Sequence, residues 1–186
     1  MRVLGISGSL RRDSHNTELL RAAASLLPSG VEFELYDGLR DIPPYDEAER
    51  DSGQPAAVAD LKERIAAADA VLFATPEYNH SIPGQLKNAM DWVSRPLADT
   101  PLKGKPVAVI GASTGMFGAV WAQAELRKVL GAIGARVLDR ELPVPLADEI
   151  VRDREKLESS GTHSLIVGIL AELLDATQPA EVTAAV

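Results

Sequence analysis

Nine consecutive residues, Gly8-Ser9-Leu10-Arg11-Arg12-Asp13-Ser14-His15-Asn16, bring together hydroxyls, a glycine, two arginines and an amide. An apolar run, Val3 to Ser7, precedes them, and a helical pattern follows at Leu19, Leu20, Ala23, Ala24 and Leu27. This is the order strand, polar turn, helix. The turn aims backbone N–H groups at one point, where the helix dipole favours negative charge. Ser9, Ser14 and Asn16 can add side-chain hydrogen bonds, and Arg11 a charged fork suited to phosphate. The plainer reading is a capped turn with a solvated arginine pair, since Ser and Asn commonly cap helices. Gly5 and Gly8 do not complete a G-x-G-x-x-G fingerprint, and no G-K-[ST] follows. A mononucleotide is the ligand that remains.

Thr75-Pro76-Glu77-Tyr78-Asn79-His80-Ser81-Ile82-Pro83-Gly84 is stiffened by prolines near both ends. A stiff loop holds backbone N–H and C=O groups at fixed positions, as the edge of a flat heterocycle requires. Tyr78 can lie beside a ring, and Asn79 offers donors and an acceptor. His80 can be a proton donor or simply a surface residue, and Glu77 can cap a turn. Gly111-Ala112-Ser113-Thr114-Gly115-Met116-Phe117-Gly118 supplies glycines for close backbone approach. Taken alone it reads better as a glycine-rich turn carrying two core residues.

The elements that would hold these turns alternate. Strands are expected at Arg2 to Ser7, Val31 to Tyr36, Ala70 to Thr75 and Val107 to Gly111. A last, irregular strand region starts at Arg136 and is broken by Pro143 and Pro145. Helices are expected at Asn16 to Leu27, Pro55 to Ala68, from Pro83 or Gly84 to before Pro96, and Ala119 to Ile133. Two more follow, at Arg152 to Leu157 and His163 to Leu174. Asp37 to Gln54 reads as a long acidic, proline-containing loop, either functional or a cover. Alternation of this kind implies a parallel sheet with helices on both faces, and ligands bind beyond the carboxyl ends of its strands. The three polar turns should therefore meet at one edge. Residues 1–174 are expected to be a single domain, and 175–186 a frayed tail.

The chain has 186 residues, no cysteine and a formal charge of −8. Without cysteine there is no disulfide, thiolate metal site or thiol nucleophile. The acidic balance disfavours nucleic acid and anionic membranes as partners. No apolar run approaches a membrane span of about 20 residues, and a cytoplasmic setting is expected.

Gly8-Ser9-Leu10-Arg11, Ser14-x-Asn16, Pro76-Glu77-Tyr78-Asn79-His80-Ser81-Ile82-Pro83-Gly84, Leu86-Lys87-Asn88-Ala89-x-Asp91-Trp92 and Gly104-Lys105-Pro106 together resemble the NADPH-dependent FMN reductase family. The resemblance runs from the first strand to about Gly134. It implies a three-layer flavodoxin-like α/β sandwich with a five-stranded parallel sheet in the order 2-1-3-4-5. It implies bound FMN, with the phosphate on Ser9, Arg11, Ser14, Asn16 and Thr17. The isoalloxazine would lie along Pro76, Glu77, Tyr78, Asn79 and Ile82, and Ser113, Thr114 and Gly115 would complete the ring site. No metal and no catalytic side chain are implied, because the flavin carries the chemistry. NADPH or NADH would be the donor, in a ping-pong cycle. A quinone, azo dye, chromate or free flavin would be the acceptor. A flavodoxin-type electron carrier and a flavin-free mononucleotide-binding protein are the alternative readings.

Trp92 and Trp121 each lie roughly 120° from the apolar stripe of their helix, counted at 100° per residue. Both are expected to face outward on adjacent helices. Such a patch would mark the interface of a homodimer, or of a dimer of dimers.

Overall fold

The computed structural model describes residues 1–178; the remainder of the expected tail, 179–186, lies outside the described residues. Strands β1 (Arg2–Ser7), β2 (Glu32–Tyr36), β3 (Ala70–Thr75), β4 (Pro106–Ala112), β5 (Arg136–Val137) and β6 (Pro143–Val144) form one parallel sheet. Its order is β2-β1-β3-β4-β5, with β6 also paired to β4. The fifth position, expected as one irregular strand, is filled by two short pieces. β5 pairs with the start of β4, through Val107 and Val137, and β6 with its end, through Ala112 and Val144. Buried Gln123 bridges the break between them. Its amide donates to the Gly118 carbonyl at 3.1 Å and accepts from the Leu142 N–H at 3.1 Å.

Helices α1 (His15–Ser25) and α8 (Thr162–Asp175) cover one face of the sheet. Leu19, Leu20 and Ala23 of α1, with Ile166, Ile169, Leu170 and Leu173 of α8, pack on Val3, Leu72, Ala74, Ala108 and Ile110. Helices α3 (Ala56–Ala67), α4 (Gly84–Val93) and α5 (Val120–Ile133) cover the other face, over Leu4, Ile6, Val71, Phe73, Val107 and Val109. Alternate strand residues thus serve opposite cores, as the two-residue period requires, and β3 and β4 are buried along their whole length. The carbonyl-directed end of α8 continues through one more turn to Gln178, so the start of the expected tail is helical in character. Short helices α2 (Glu47–Ser52), α6 (Ala147–Ile150) and α7 (Arg154–Ser159) complete the described chain. No described helix is long and apolar enough to cross a membrane.

The segment expected as a long loop, 37–54, contains a 3₁₀ turn at Gly38–Asp41 and α2. It also corrects the expectation for Trp92, which is 0 % exposed. The helix turns the indole away from the sheet as expected, but the loop comes down over it. Pro43 accepts the indole N–H at 2.9 Å, and Tyr45 meets the ring edge-on at 5.0 Å. Asn88 fixes the same loop, donating to the Pro43 carbonyl and accepting from the Tyr45 N–H at 2.7 Å. Helical periodicity shows which way a side chain leaves its helix, but not what a distant loop lays upon it. Trp121 is 41 % exposed, as expected.

Candidate functional site

β1, β3 and β4 run in register, so Ser7 lies beside Ala74, and Thr75 beside Gly111. The turns that follow the three strands therefore emerge side by side. The first is strapped to its neighbour by the Gly8 N–H, which donates to the Ala74 carbonyl at 2.8 Å. A cavity between the turns is lined by Ser9, Arg11, Ser14, Pro76, Tyr78 and Ser113, among others. A second opens beside it, lined by Gly8, Leu10, Arg11, Tyr78, Pro83 and Gln85. Arg11 and Tyr78 border both, so the two read as one groove.

At the first turn the hydroxyls are organised by the backbone. Ser14, only 2 % exposed, caps α1 by accepting from the Thr17 N–H at 3.4 Å. Ser9 accepts from the Arg11 N–H at 3.3 Å. Each oxygen is oriented by what it accepts, and each keeps its O–H to donate to an anion. The opening N–H groups of α1, at His15 and Asn16, have no intrahelical acceptor. Arg11 stands exposed at the mouth. These groups make one cluster of donors.

Two residues expected at the phosphate spend their side chains elsewhere. The Asn16 amide donates to the Ala112 carbonyl and accepts from the Ala112 N–H, both at 2.9 Å, and is 2 % exposed. What Asn16 offers to the cavity is its backbone. The Thr17 hydroxyl donates to Ser7 Oγ at 3.0 Å, and its side chain borders a different cavity. Both departures share a cause: the turn must be tied to neighbouring strands before it can hold anything.

In the second loop Tyr78 and Ser81 exchange backbone hydrogen bonds at 3.0 and 3.1 Å. Asn79 and His80 between them have φ of 52° and 61°. Two central residues with positive φ make this a type I′ turn, which Asn and His accept more readily than most residues. The loop owes its stiffness to this turn as well as to its prolines. Tyr78 is left exposed along the groove. Glu77 caps no turn of its own loop. Its Oε2 accepts from the Trp121 and Ala122 N–H groups at 3.0 and 3.1 Å, at the N-terminus of α5, where the dipole favours a carboxylate. Glu77 nevertheless borders the cavity. Ile82, expected along the ring, is buried in the core beneath α4 and does not border the groove. A β-branched apolar side chain just before Pro83 anchors the loop rather than lining it.

The third turn is braced from outside. The Ser113 N–H donates to Val144, Ala147 donates to the Ser113 carbonyl, and Leu146 donates to the Gly115 carbonyl, at 3.1, 3.1 and 3.2 Å. Gly118, with φ of 58°, passes so near β6 that an added Cβ would lie 2.6 Å from Pro143 and Val144 backbone atoms. Ser113 and Thr114 line the cavity, and the Gly115 N–H is turned onto Ser113 Oγ at 3.1 Å. Met116, Phe117 and Trp121 are exposed beside the turn. Trp121 packs edge-on against His80 at 4.7 Å and Phe117 at 5.0 Å.

The sequence reading missed two contributors. His15 lines the cavity although buried, with Nε2 2.8 Å from Asp148 Oδ1 and Nδ1 without a partner among the described residues. The strap from Pro143 to Asp148 is the other. Nothing in its composition marks it, because it works through backbone groups and strand register. The donors at one end suit a terminal phosphate, and the fixed backbone of the two further turns suits a flat ring. The residues present therefore fit a flavin mononucleotide.

A family model described as NADPH-dependent FMN reductase matches residues 1–149. An NAD(P)H-dependent FMN reductase of Pseudomonas aeruginosa is 49% identical over 140 residues, covering 75% of either chain. A quinone reductase of Escherichia coli is 41% identical over 141 residues, covering 75% of this chain and 74% of its own. Among solved structures, FerB, a flavoenzyme NAD(P)H:acceptor oxidoreductase of Paracoccus denitrificans, superposes with a TM-score of 0.80 at 36% identity. That match covers 95% of this chain and 96% of FerB.

Proposed function

The chain belongs to the NADPH-dependent FMN reductase family, and from that premise we propose that it holds one FMN and passes electrons from NAD(P)H to a quinone-type acceptor. The observation that carries this reading is the single groove made by three turns, closed by donors at one end and edged by exposed Tyr78. The Ser9 and Ser14 hydroxyls, the His15 and Asn16 N–H groups and the Arg11 guanidinium would hold the phosphate. The backbone of Pro76 to Asn79, with Ser113, Thr114 and Gly115, would border the ring. When bound, the flavin supplies hydride acceptance and two-electron transfer. The protein's part is to fix the ring by stiff turns and leave one face open. Donor and acceptor would then use that face in turn, which is a ping-pong cycle. Exposed Met116, Phe117 and Trp121 flank it and offer an apolar bed for an aromatic acceptor. A cytoplasmic setting, where NAD(P)H is made, belongs to the same proposal.

The purified protein should be yellow and should release FMN on heating, identified by chromatography against FMN and FAD standards. It should also oxidise NAD(P)H steadily with benzoquinone. Recovery of FAD as the main species would refute the cofactor assignment. Bound FMN with no steady turnover would favour the electron-carrier reading instead.

The homodimer, or dimer of dimers, also stays a proposal, now on different residues. Trp92 is withdrawn from the argument by its burial, and the patch that supports an interface is Trp121 with Phe117 and Met116. A second copy seated there would help to shape the acceptor side of the groove. Sedimentation should find a dimer at micromolar concentration, weakened by Trp121→Glu. A wild-type monomer would end the idea.

A further inference from the structure

His15 is the first residue of α1 and stands where the helix offers N–H groups without intrahelical acceptors. Its side chain is buried and lines the same cavity as Ser9, Arg11 and Ser14. Its Nε2 lies 2.8 Å from Oδ1 of Asp148, a carboxylate that is itself largely exposed. Asp148 ends the strap that begins at Pro143, and the two residues before it hold the third turn. Leu146 donates to the Gly115 carbonyl and Ala147 to the Ser113 carbonyl. One imidazole thus stands between the wall of the phosphate cavity and the brace of the ring border.

The contact fixes one proton. A nitrogen lone pair 2.8 Å from a carboxylate oxygen would be repelled, so Nε2 carries hydrogen. The pair lacks the alignment of a hydrogen bond and so holds by charge. Nδ1 has no partner among the described residues. It either keeps a buried lone pair or takes a second proton, which makes the ring a cation.

The surrounding groups divide between these states. Asp148 favours the cation. Arg11, on the same cavity, and the N-terminal dipole of α1 oppose it. Glu77 also borders the cavity, but its carboxylate is committed to the Trp121 and Ala122 N–H groups. Asp13 and Glu18 flank His15 along the chain; Arg152 holds the Asp13 carbonyl at 3.1 Å, and Glu18 pairs with Arg21. Glu149 follows Asp148 on α6. His163 of α8 borders a different cavity, with Arg152. The strands and the rest of α8 meet α1 with apolar residues. A phosphate dianion in the cavity would join Asp148 and offset Arg11 and the dipole. Charges interact several-fold more strongly away from bulk water, and this ring is screened from it.

We propose that His15 is a positioning residue for the phosphate, charged in the complex, and that FMN therefore binds with uptake of a proton. The proton comes from solvent and settles on Nδ1; no other bond forms or breaks, and nothing is oxidised or reduced. The charged ring would then face the phosphate on one side and Asp148 on the other, so that filling the phosphate end also tightens the strap behind the ring border. The inference rests on the reading that this cavity receives the FMN phosphate, and it adds the charge state of a side chain to that reading.

The test is calorimetric titration of flavin-free protein with FMN at pH 7.5, in Tris and in HEPES, whose heats of ionisation differ. At that pH the phosphate is already almost wholly a dianion, with its second pKa near 6, and supplies little of the effect. The wild type should take up between about 0.3 and 1 proton per FMN. His15→Asn should take up none and should bind FMN about three- to tenfold more weakly. Equal heats in the two buffers for the wild type, or the same uptake in the variant, would overturn the proposal. Nitrogen NMR of the wild type needs no variant to fold. With only three histidines in the chain, the His15 ring is readily assigned. Its Nδ1 should move to the protonated position on addition of FMN, and an unmoved signal would refute the assignment. If the wild type binds no FMN, the cofactor reading fails instead. The same NMR signal followed against inorganic phosphate then decides the matter: protonation of Nδ1 supports the role of His15, and an unchanged ring rejects it.

Discussion

Asn16→Ala should lower the melting temperature by roughly 4–15 °C and weaken FMN binding together with it. The reason lies in how the sheet ends. β3 and β4 stay paired as far as Thr75 and Gly111. The next residue of β3 would be Pro76, which has no N–H to continue the ladder. On the far side of β4, Gly111 and Ser113 turn their N–H groups to Leu142 and Val144. Ala112 therefore faces the side where β3 has just stopped. The Asn16 amide supplies both missing bonds at 2.9 Å and behaves as one more strand residue. Ala112 is buried, so removing the amide strands a donor and an acceptor away from water. Each such group costs about 1–3 kcal/mol. The same amide also fixes α1 against the third turn, so the phosphate donors and the ring border should loosen together. A thermal melt and an FMN titration of the variant check this. An unchanged melt with weakened FMN binding would mean that Asn16 serves the ligand through its side chain after all.

That pair of bonds shows what the sequence disclosed and what it withheld. The alternation of apolar runs and 3.6-residue stripes is enough to expect a parallel sheet, and the observed order β2-β1-β3-β4-β5 is the flavodoxin-like one. The three polar turns were legible because hydroxyls, prolines and glycines announce themselves by type. The destination of each side chain was not. Asn16, Thr17 and Glu77 sit inside the right turns but bond to Ala112, Ser7 and the start of α5. Those partners lie 96, 10 and 45 residues away in the chain or close to it by folding alone. Ile82 went to the core because apolar burial outweighs its position in a motif. Trp92 was lost for the opposite reason: the covering loop of 37–54 carries no periodicity by which its resting place could be read.

Arg11→Ala should weaken FMN binding about ten- to a hundredfold and leave the melting temperature of the flavin-free protein unchanged. Arg12→Ala should change FMN binding far less. The two residues are neighbours of like charge and like exposure, so a general electrostatic effect would treat them equally. Their placement does not. Arg11 borders both halves of the groove, while Arg12 borders neither. The loss is large for an exposed residue because the contact is to a phosphate dianion. A planar fork with two parallel donors gains from that charge and from its shape together. Arg11→Lys should therefore recover only part of the affinity, since an ammonium keeps the charge but not the fork. Titration of flavin-free protein with FMN, followed by quenching of flavin fluorescence, measures all three variants on one scale. Raising the salt should weaken binding to the wild type and the Lys variant more than to the Ala variant, as screening acts on the charge. Equal losses for Arg11→Ala and Arg12→Ala would mean that the turn attracts phosphate by its overall charge, and the assignment of the Arg11 fork to the cofactor would be withdrawn.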